Sequence, residues 1–153
     1  MKAEYVNSFY KATGDVFQLM LGLDTKREAL KAVEEMVSTK EVSAVLGVTG
    51  ALKGTIIFSF SKSMALEMVK IMSGMEMDSV DSFVSSALGE VANIIAGNAM
   101  THLAENSYIC DIVPPKIFIG EYKSYSDDNE KALLLTLVTS IGEFDINIFL
   151  REK

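Results

Sequence analysis

Tryptophan is absent from these 153 residues, proline occurs twice, and cysteine and histidine once each. A lone Cys110 excludes an internal disulfide and any thiolate cage for a metal. His102 has no Ser–His–Asp or metal-ligating set around it, which argues for a structural imidazole within a helix rather than a catalytic one. Basic residues are scarce too: 14 Lys and Arg stand against 21 Asp and Glu, a net charge of −7. That balance repels a phosphate backbone, so no nucleic-acid partner is expected.

Long apolar runs are also missing. Mean hydropathy is high at +0.25. Even so, the longest stretch without Asp, Glu, Lys or Arg is residues 91–104, and it contains Asn93, Asn98 and His102. A membrane span needs roughly 18 consecutive apolar residues, so no membrane crossing is expected. Met1-Lys2-Ala3-Glu4-Tyr5 carries an acid and leads into no apolar block, unlike a signal peptide. A cytoplasmic protein is expected.

What is present is a core. Hydrophobic residues make up 49% of the chain, too many for a disordered one. The length suits one domain, and no Pro-rich or Gly/Ser-rich linker divides residues 1–153. Residues 3–21 read as a helix, with Val6, Phe9, Tyr10, Thr13, Val16, Phe17 and Met20 on one stripe and Gly22 as its stop. The charged stretch 24–41 suggests a partial helix over 27–37. Residues 42–48 and 55–60 read as a hairpin joined through glycines. Ser61 or Ser63 can cap a short helix to about residue 72, where Met64, Met68, Met72 and Met75 recur at helical spacing as core. Asp78 or Ser79 offers the N-cap of the longest helix, about 80–105, with Asp81 in its first turn. Residues 108–119, 132–140 and 144–150 read as strands, and Pro114-Pro115 forces the first to bend or lie at an edge. Ser126-Asp127-Asp128-Asn129 and Ile141-Gly142-Glu143 suit turns, and the acids Asp127, Asp128 and Glu130 suit a solvated one. The fold class is α+β: helices packed on a mainly antiparallel sheet, in two loosely similar helix-strand-strand halves.

The long helix carries the sharpest signal. Advancing by about 100° per residue, Ser82, Ser86, Glu90, Asn93 and Gly97 fall within roughly 80° of arc. The opposite arc is apolar: Leu88, Val91, Ala92, Ile95, Ala99 and Leu103. An ordinary solvent face would carry Lys, Arg and Gln, yet no Lys or Arg occurs between Lys70 and Lys116. Gly89 and Gly97 each cost the helix about 0.8–1.0 kcal/mol relative to Ala. A strip so small and polar suits close coverage by another molecule.

Ser86-x-x-x-Glu90-x-x-Asn93-x-x-x-Gly97 resembles the signature of the CheC/CheX/FliY phosphatases of bacterial chemotaxis. Gly47-Val48-Thr49-Gly50, Gly54-Thr55-Ile56-Ile57-Phe58-Ser59-Phe60-Ser61, Gly74-Met75-Glu76 and Asp111-Ile112-Val113-Pro114-Pro115 resemble the CheX branch in particular. The resemblance runs from about residue 4 to 151. It implies removal of a phosphoryl group from an aspartate of a CheY-like response-regulator receiver. It further implies that Glu90 pairs with a receiver lysine and that Asn93 positions the attacking water. Ser86 and Gly97 then allow close approach of the partner. Mg²⁺ is implied on the partner's carboxylates, with no metal or other cofactor on this chain. An Asn cannot take a proton at neutral pH, but phosphoryl transfer rewards positioning more than proton abstraction.

Related members carry two such helical motifs. Here Glu4-x-x-Asn7 repeats the spacing in the first helix, but nothing lies four residues before Glu4, and Lys11 replaces the small residue. Glu4 is also expected to point away from Asn7's side. One site per chain is therefore expected. A homodimer through a sheet edge is expected as well, from the proline-bent strand beside uncharged runs such as 132–142. The rival function class is a non-catalytic dimeric adaptor or flagellar-switch component of the same fold, distinguished by whether a phosphorylated receiver decays faster in its presence.

Overall fold

The computed structural model describes residues 1–125 and 131–152. Helix α1 (Ala3–Leu21) buries Phe9, Ala12, Val16 and Phe17 along the anticipated stripe. It ends at Gly22, whose φ of 65° lets its N–H reach Gln18 O at 3.1 Å. Helix α2 (Lys62–Ser73) starts at Ser61, whose hydroxyl accepts from the Met64 N–H at 3.2 Å. Met64 and Met68 lie in the core and Met72 packs against it, whereas Met75 falls beyond the helix end and is exposed. Helix α3 (Ser82–Glu105) begins later than anticipated. Its N-cap is Asp81, not Asp78 or Ser79, and the Asp81 carboxylate accepts from the Val84 N–H at 2.9 Å.

Among the described residues eight strands accompany the helices, four between α1 and α2 and four after α3: β1 (Lys26–Val33), β2 (Glu35–Ser38), β3 (Val42–Gly50), β4 (Leu52–Phe60), β5 (Cys110–Ile119), β6 (Tyr122–Tyr125), β7 (Ala132–Thr139) and β8 (Gly142–Glu152). Six form one antiparallel sheet in the order β1-β7-β8-β4-β3-β5, and β2 pairs with β6 separately. The helix anticipated over 27–37 is thus two strands, β1 and β2. Lys, Arg, Glu, Ala and Leu favour a helix locally, but β1 pairs with β7, from Lys26↔Val138 to Val33↔Ala132. Pairing across the fold overrides a weak local propensity. The uncharged run 132–142 is likewise not an edge, since β7 lies between β1 and β8. The turn anticipated at 126–129, with its acidic cluster, lies outside the described residues.

Exchanging β1 with β5, β2 with β6, β3 with β7 and β4 with β8 reproduces the same strand order reversed, and pairs β2 with β6 again. The chain is therefore two topologically equivalent halves, each a helix followed by four strands, with α2 between them. Equivalence stops at the helices: β5 packs closely against α3, while β1 makes at most marginal contact with α1.

The helical layer covers one sheet face, burying Leu46, Ile56, Phe58, Phe144, Ile146 and Ile148. Phe144 stacks between Phe17 of α1 and Phe60 of β4, at centroid distances of 4.8 and 5.2 Å. On the other face a second cluster gathers Met36, Ile57, Ala132 and Phe149. No helix among the described residues is long and apolar enough to cross a membrane.

Candidate functional site: a polar strip and an apolar wall

Helix α3 buries Val84, Leu88, Val91, Ala92, Ile95, Ala96, Ala99 and Leu103. Ser82, Ser86, Glu90 and Gly97 are exposed on the opposite side and Asn93 is half-buried, as the helical spacing predicts. Among the described residues, neither the Glu90 nor the Asn93 side chain has a hydrogen-bonding or ion-pair partner. Three residues apart, they project from adjacent turns of one face. Among the described residues a Cβ added at Gly97 would meet nothing within 4 Å, so no packing among them explains a glycine there. Phe83, three residues before Ser86, is 43% exposed at the start of the strip.

The structure adds a wall that the sequence pattern does not reveal. Ser85, Ser86, Gly89, Glu90 and Asn93 face Pro114, Pro115 and Ile117 of β5 across an open groove of about 620 Å³. The prolines occupy the irregularity where Val45 pairs with Lys116 but Gly47 pairs with Val113. Because β5 is an outer strand, two residues without N–H groups are tolerated there, and the bulge takes up the break in pairing. The expected bend and the expected edge are both present. That the bend stands beside Glu90 and Asn93 could be hinted at only by a Pro-Pro pair shortly after the motif.

Elsewhere, His102 sits partly buried between α1 and α3. Its Nε2 lies 4.0 Å from Asp15 Oδ2, and its Nδ1 lies 3.9 Å from Glu105 Oε2. A small cavity of about 140 Å³ beside it is lined by Glu4, Asn7, Ser8 and Lys11. Glu4 and Asn7 therefore share one cavity rather than pointing apart, since i and i+3 on a helix are neighbours. Lys11 stands where α3 has Gly97. Cys110 opens β5 half-buried against the core. Between α2 and α3, Lys70 and Glu76 pair at 3.0 Å; that hydrogen bond and the adjacent charge hold the Glu76 carboxyl below its ordinary range. Among the described residues no three His, Cys, Asp or Glu side chains gather to hold a metal ion.

The model of the family described as "Chemotaxis phosphatase CheX" matches residues 42–137, from the start of β3 through α3 and into β7. The chain belongs to this family. Its CheX relatives are distant in sequence but nearly equal in length. The CheY-P phosphatase CheX of Thermotoga maritima is 28% identical over 153 residues, covering 99% of each chain. The crystal structure of the chemotaxis protein CheX from Desulfovibrio desulfuricans is 26% identical, with a TM-score of 0.86 over 98% of this chain and 99% of the other. The CheX–CheY–BeF₃–Mg²⁺ complex from Borrelia burgdorferi contains a chain 28% identical, with a TM-score of 0.72 over 97% of this chain and 98% of that one.

Proposed function

We propose that this CheX-family chain is a cytoplasmic phosphatase that removes the phosphoryl group from an aspartate of a CheY-like receiver domain. The observation that carries the proposal is the pairing of an uncommitted carboxylate and an uncommitted carboxamide on a strip of α3 that is free of Lys and Arg and opened by glycine. Glu90 has no cation of its own, so a receiver lysine can complete it as a charge-assisted contact. Asn93 then enters the receiver's site, where its carboxamide accepts a hydrogen bond from a water and holds it in line with the phosphorus. Ser86 and Gly97 keep the strip low enough for that approach. The cation that offsets the phosphoryl charge, Mg²⁺, belongs on the receiver's carboxylates, with no cofactor on this chain. A relative's structure that holds CheX with CheY, BeF₃ and Mg²⁺ supports this division of labour.

The proposal includes a homodimer through the outer strand β5. Ile109, just before that strand, and Val113 and Ile119 within it are 70%, 48% and 61% exposed, an unusual apolar display for a sheet edge. The opposite outer strand, β1, carries Lys26, Arg27, Glu28 and Lys31 instead.

The deciding experiment follows the lifetime of a phosphorylated CheY-like receiver with Mg²⁺, alone and with this protein. Shortening by the wild type that is lost in Asn93→Ala supports the phosphatase. Unchanged lifetimes, or wild-type turnover in Asn93→Ala, would make the adaptor role the better account.

A further inference from the structure

We propose that the groove between α3 and β5 is a selectivity pocket. It seats one apolar side chain of the receiver beside the phosphoaspartate, and Gly89 and Ile117 set its depth. The inference rests on the phosphatase reading and deepens it: Glu90 and Asn93 serve the phosphoryl group, while the apolar wall chooses among receivers.

Gly89 is the first reason. Glycine inside a helix is less stable than alanine, because it loses more backbone freedom on folding. Gly89 is not among the glycines with positive φ. A Cβ built there would meet only Ile117 Cδ1, at 4.0 Å, which is ordinary van der Waals contact. The fold would thus accept alanine, and the helix would be steadier for it. What glycine provides is an open floor between α3 and Ile117.

The opposing wall is the second. Pro114, Pro115 and Ile117 present carbon, and Glu90 is the one charged group lining the groove among the described residues. A charged or strongly polar group pressed against that wall would lose water without gaining a partner, whereas an apolar side chain loses nothing. The proline rings fix their own φ within a bulge anchored to β3, so the wall is ordered before anything binds.

Continuity with the reactive strip is the third. Ser86, Glu90 and Asn93 line the same groove, so a receiver engaged by Glu90 and Asn93 must also lie over Gly89 and the prolines. Complementarity there discriminates between receivers that share the same phosphorylation chemistry.

The test compares wild type with Gly89→Ala, Gly89→Leu and Ile117→Asp in two assays. One measures turnover of a CheY-like receiver phosphorylated with acetyl phosphate; the other measures binding of the same receiver carrying BeF₃⁻ and Mg²⁺. Gly89→Ala should raise the thermal midpoint while raising KM about threefold, and Gly89→Leu should raise KM about tenfold, with kcat moving less than about twofold in both. Ile117→Asp should weaken binding about tenfold or more by placing a carboxylate on the wall. A merely structural Gly89 would let stability and affinity move together; opposite signs mark the pocket. Wild-type KM and binding in both Gly89 variants would overturn the proposal, even if Asn93→Ala abolishes turnover and so leaves the phosphatase reading intact. Binding that weakens as proposed, with no wild-type turnover, would keep the pocket and sink the phosphatase. No wild-type binding would overturn both.

Discussion

Gly54 of β4 lies directly against the Phe149 carbonyl of β8, so close that a Cβ at position 54 would overlap that oxygen, far inside van der Waals contact. These strands meet at the centre of the six-stranded sheet, with Thr55 opposite Phe149 and Gly54 opposite Leu150. The obstructing atom is backbone and cannot rotate away. Gly54→Ala must therefore part the two halves of the fold where they join, at a cost on the order of 3 kcal/mol or more. Chemical denaturation of the variant checks this. A loss below about 1 kcal/mol would mean that the sheet yields more easily than close packing allows.

Glu90 and Asn93 should separate in function. Asn93→Ala should nearly abolish dephosphorylation while binding to a BeF₃⁻-loaded receiver persists, because positioning of water matters only in the transition state. Glu90→Ala should weaken both binding and turnover, and Glu90→Lys should do worse by setting like charges together. Neither change should move the thermal midpoint by more than a few degrees, since both residues lie opposite the buried arc of α3. Binding titrations beside decay assays distinguish the two roles; equal losses of binding in both alanine variants would merge them.

Glu143, at the start of β8, faces Glu28 of β1. A hydrogen bond to Glu28 and the repulsion of its charge raise the Glu143 pKa above its ordinary 4.5. For a carboxyl whose folded pKa is raised, the stabilising contribution is present below pH 4.5 and is lost as pH climbs through the folded value. At pH 7 the pair should weaken the fold slightly. Glu143→Gln should then melt higher than wild type at pH 7, and the advantage should vanish or reverse near pH 4. Both side chains are exposed, so added salt should shrink the difference. Melts at two pH values and two ionic strengths measure it, and parallel pH profiles would refute it.

Ile119→Lys should dissociate the proposed dimer. A lysine on the exposed end of β5 places a charge at the edge that a second copy would cover, and edge lysines oppose strand pairing. Sedimentation at micromolar protein should show a dimer for wild type and a lighter species for the variant. A wild-type monomer mass independent of concentration would remove the dimer, and an unaltered dimer in Ile119→Lys would place its interface elsewhere.

By itself the sequence determined the features that depend on neighbours along the chain. The apolar stripe of α1, the Ser61 cap and the α3 strip of Ser86, Glu90, Asn93 and Gly97 follow from helical periodicity and capping chemistry, which act over a few residues. The same locality fails for residues 27–37. Good helix formers there become β1 and β2 because their hydrogen bonds go to β7 and β6, far along the chain. Only the tertiary structure decided that 132–139 would be interior rather than an edge, and that the two halves would share one sheet about a centre between β4 and β8. It also brought Pro114, Pro115 and Ile117 beside Asn93. Strand order and the approach of a sheet edge to a helix are set by packing between distant segments, and no period in the sequence encodes which segment arrives.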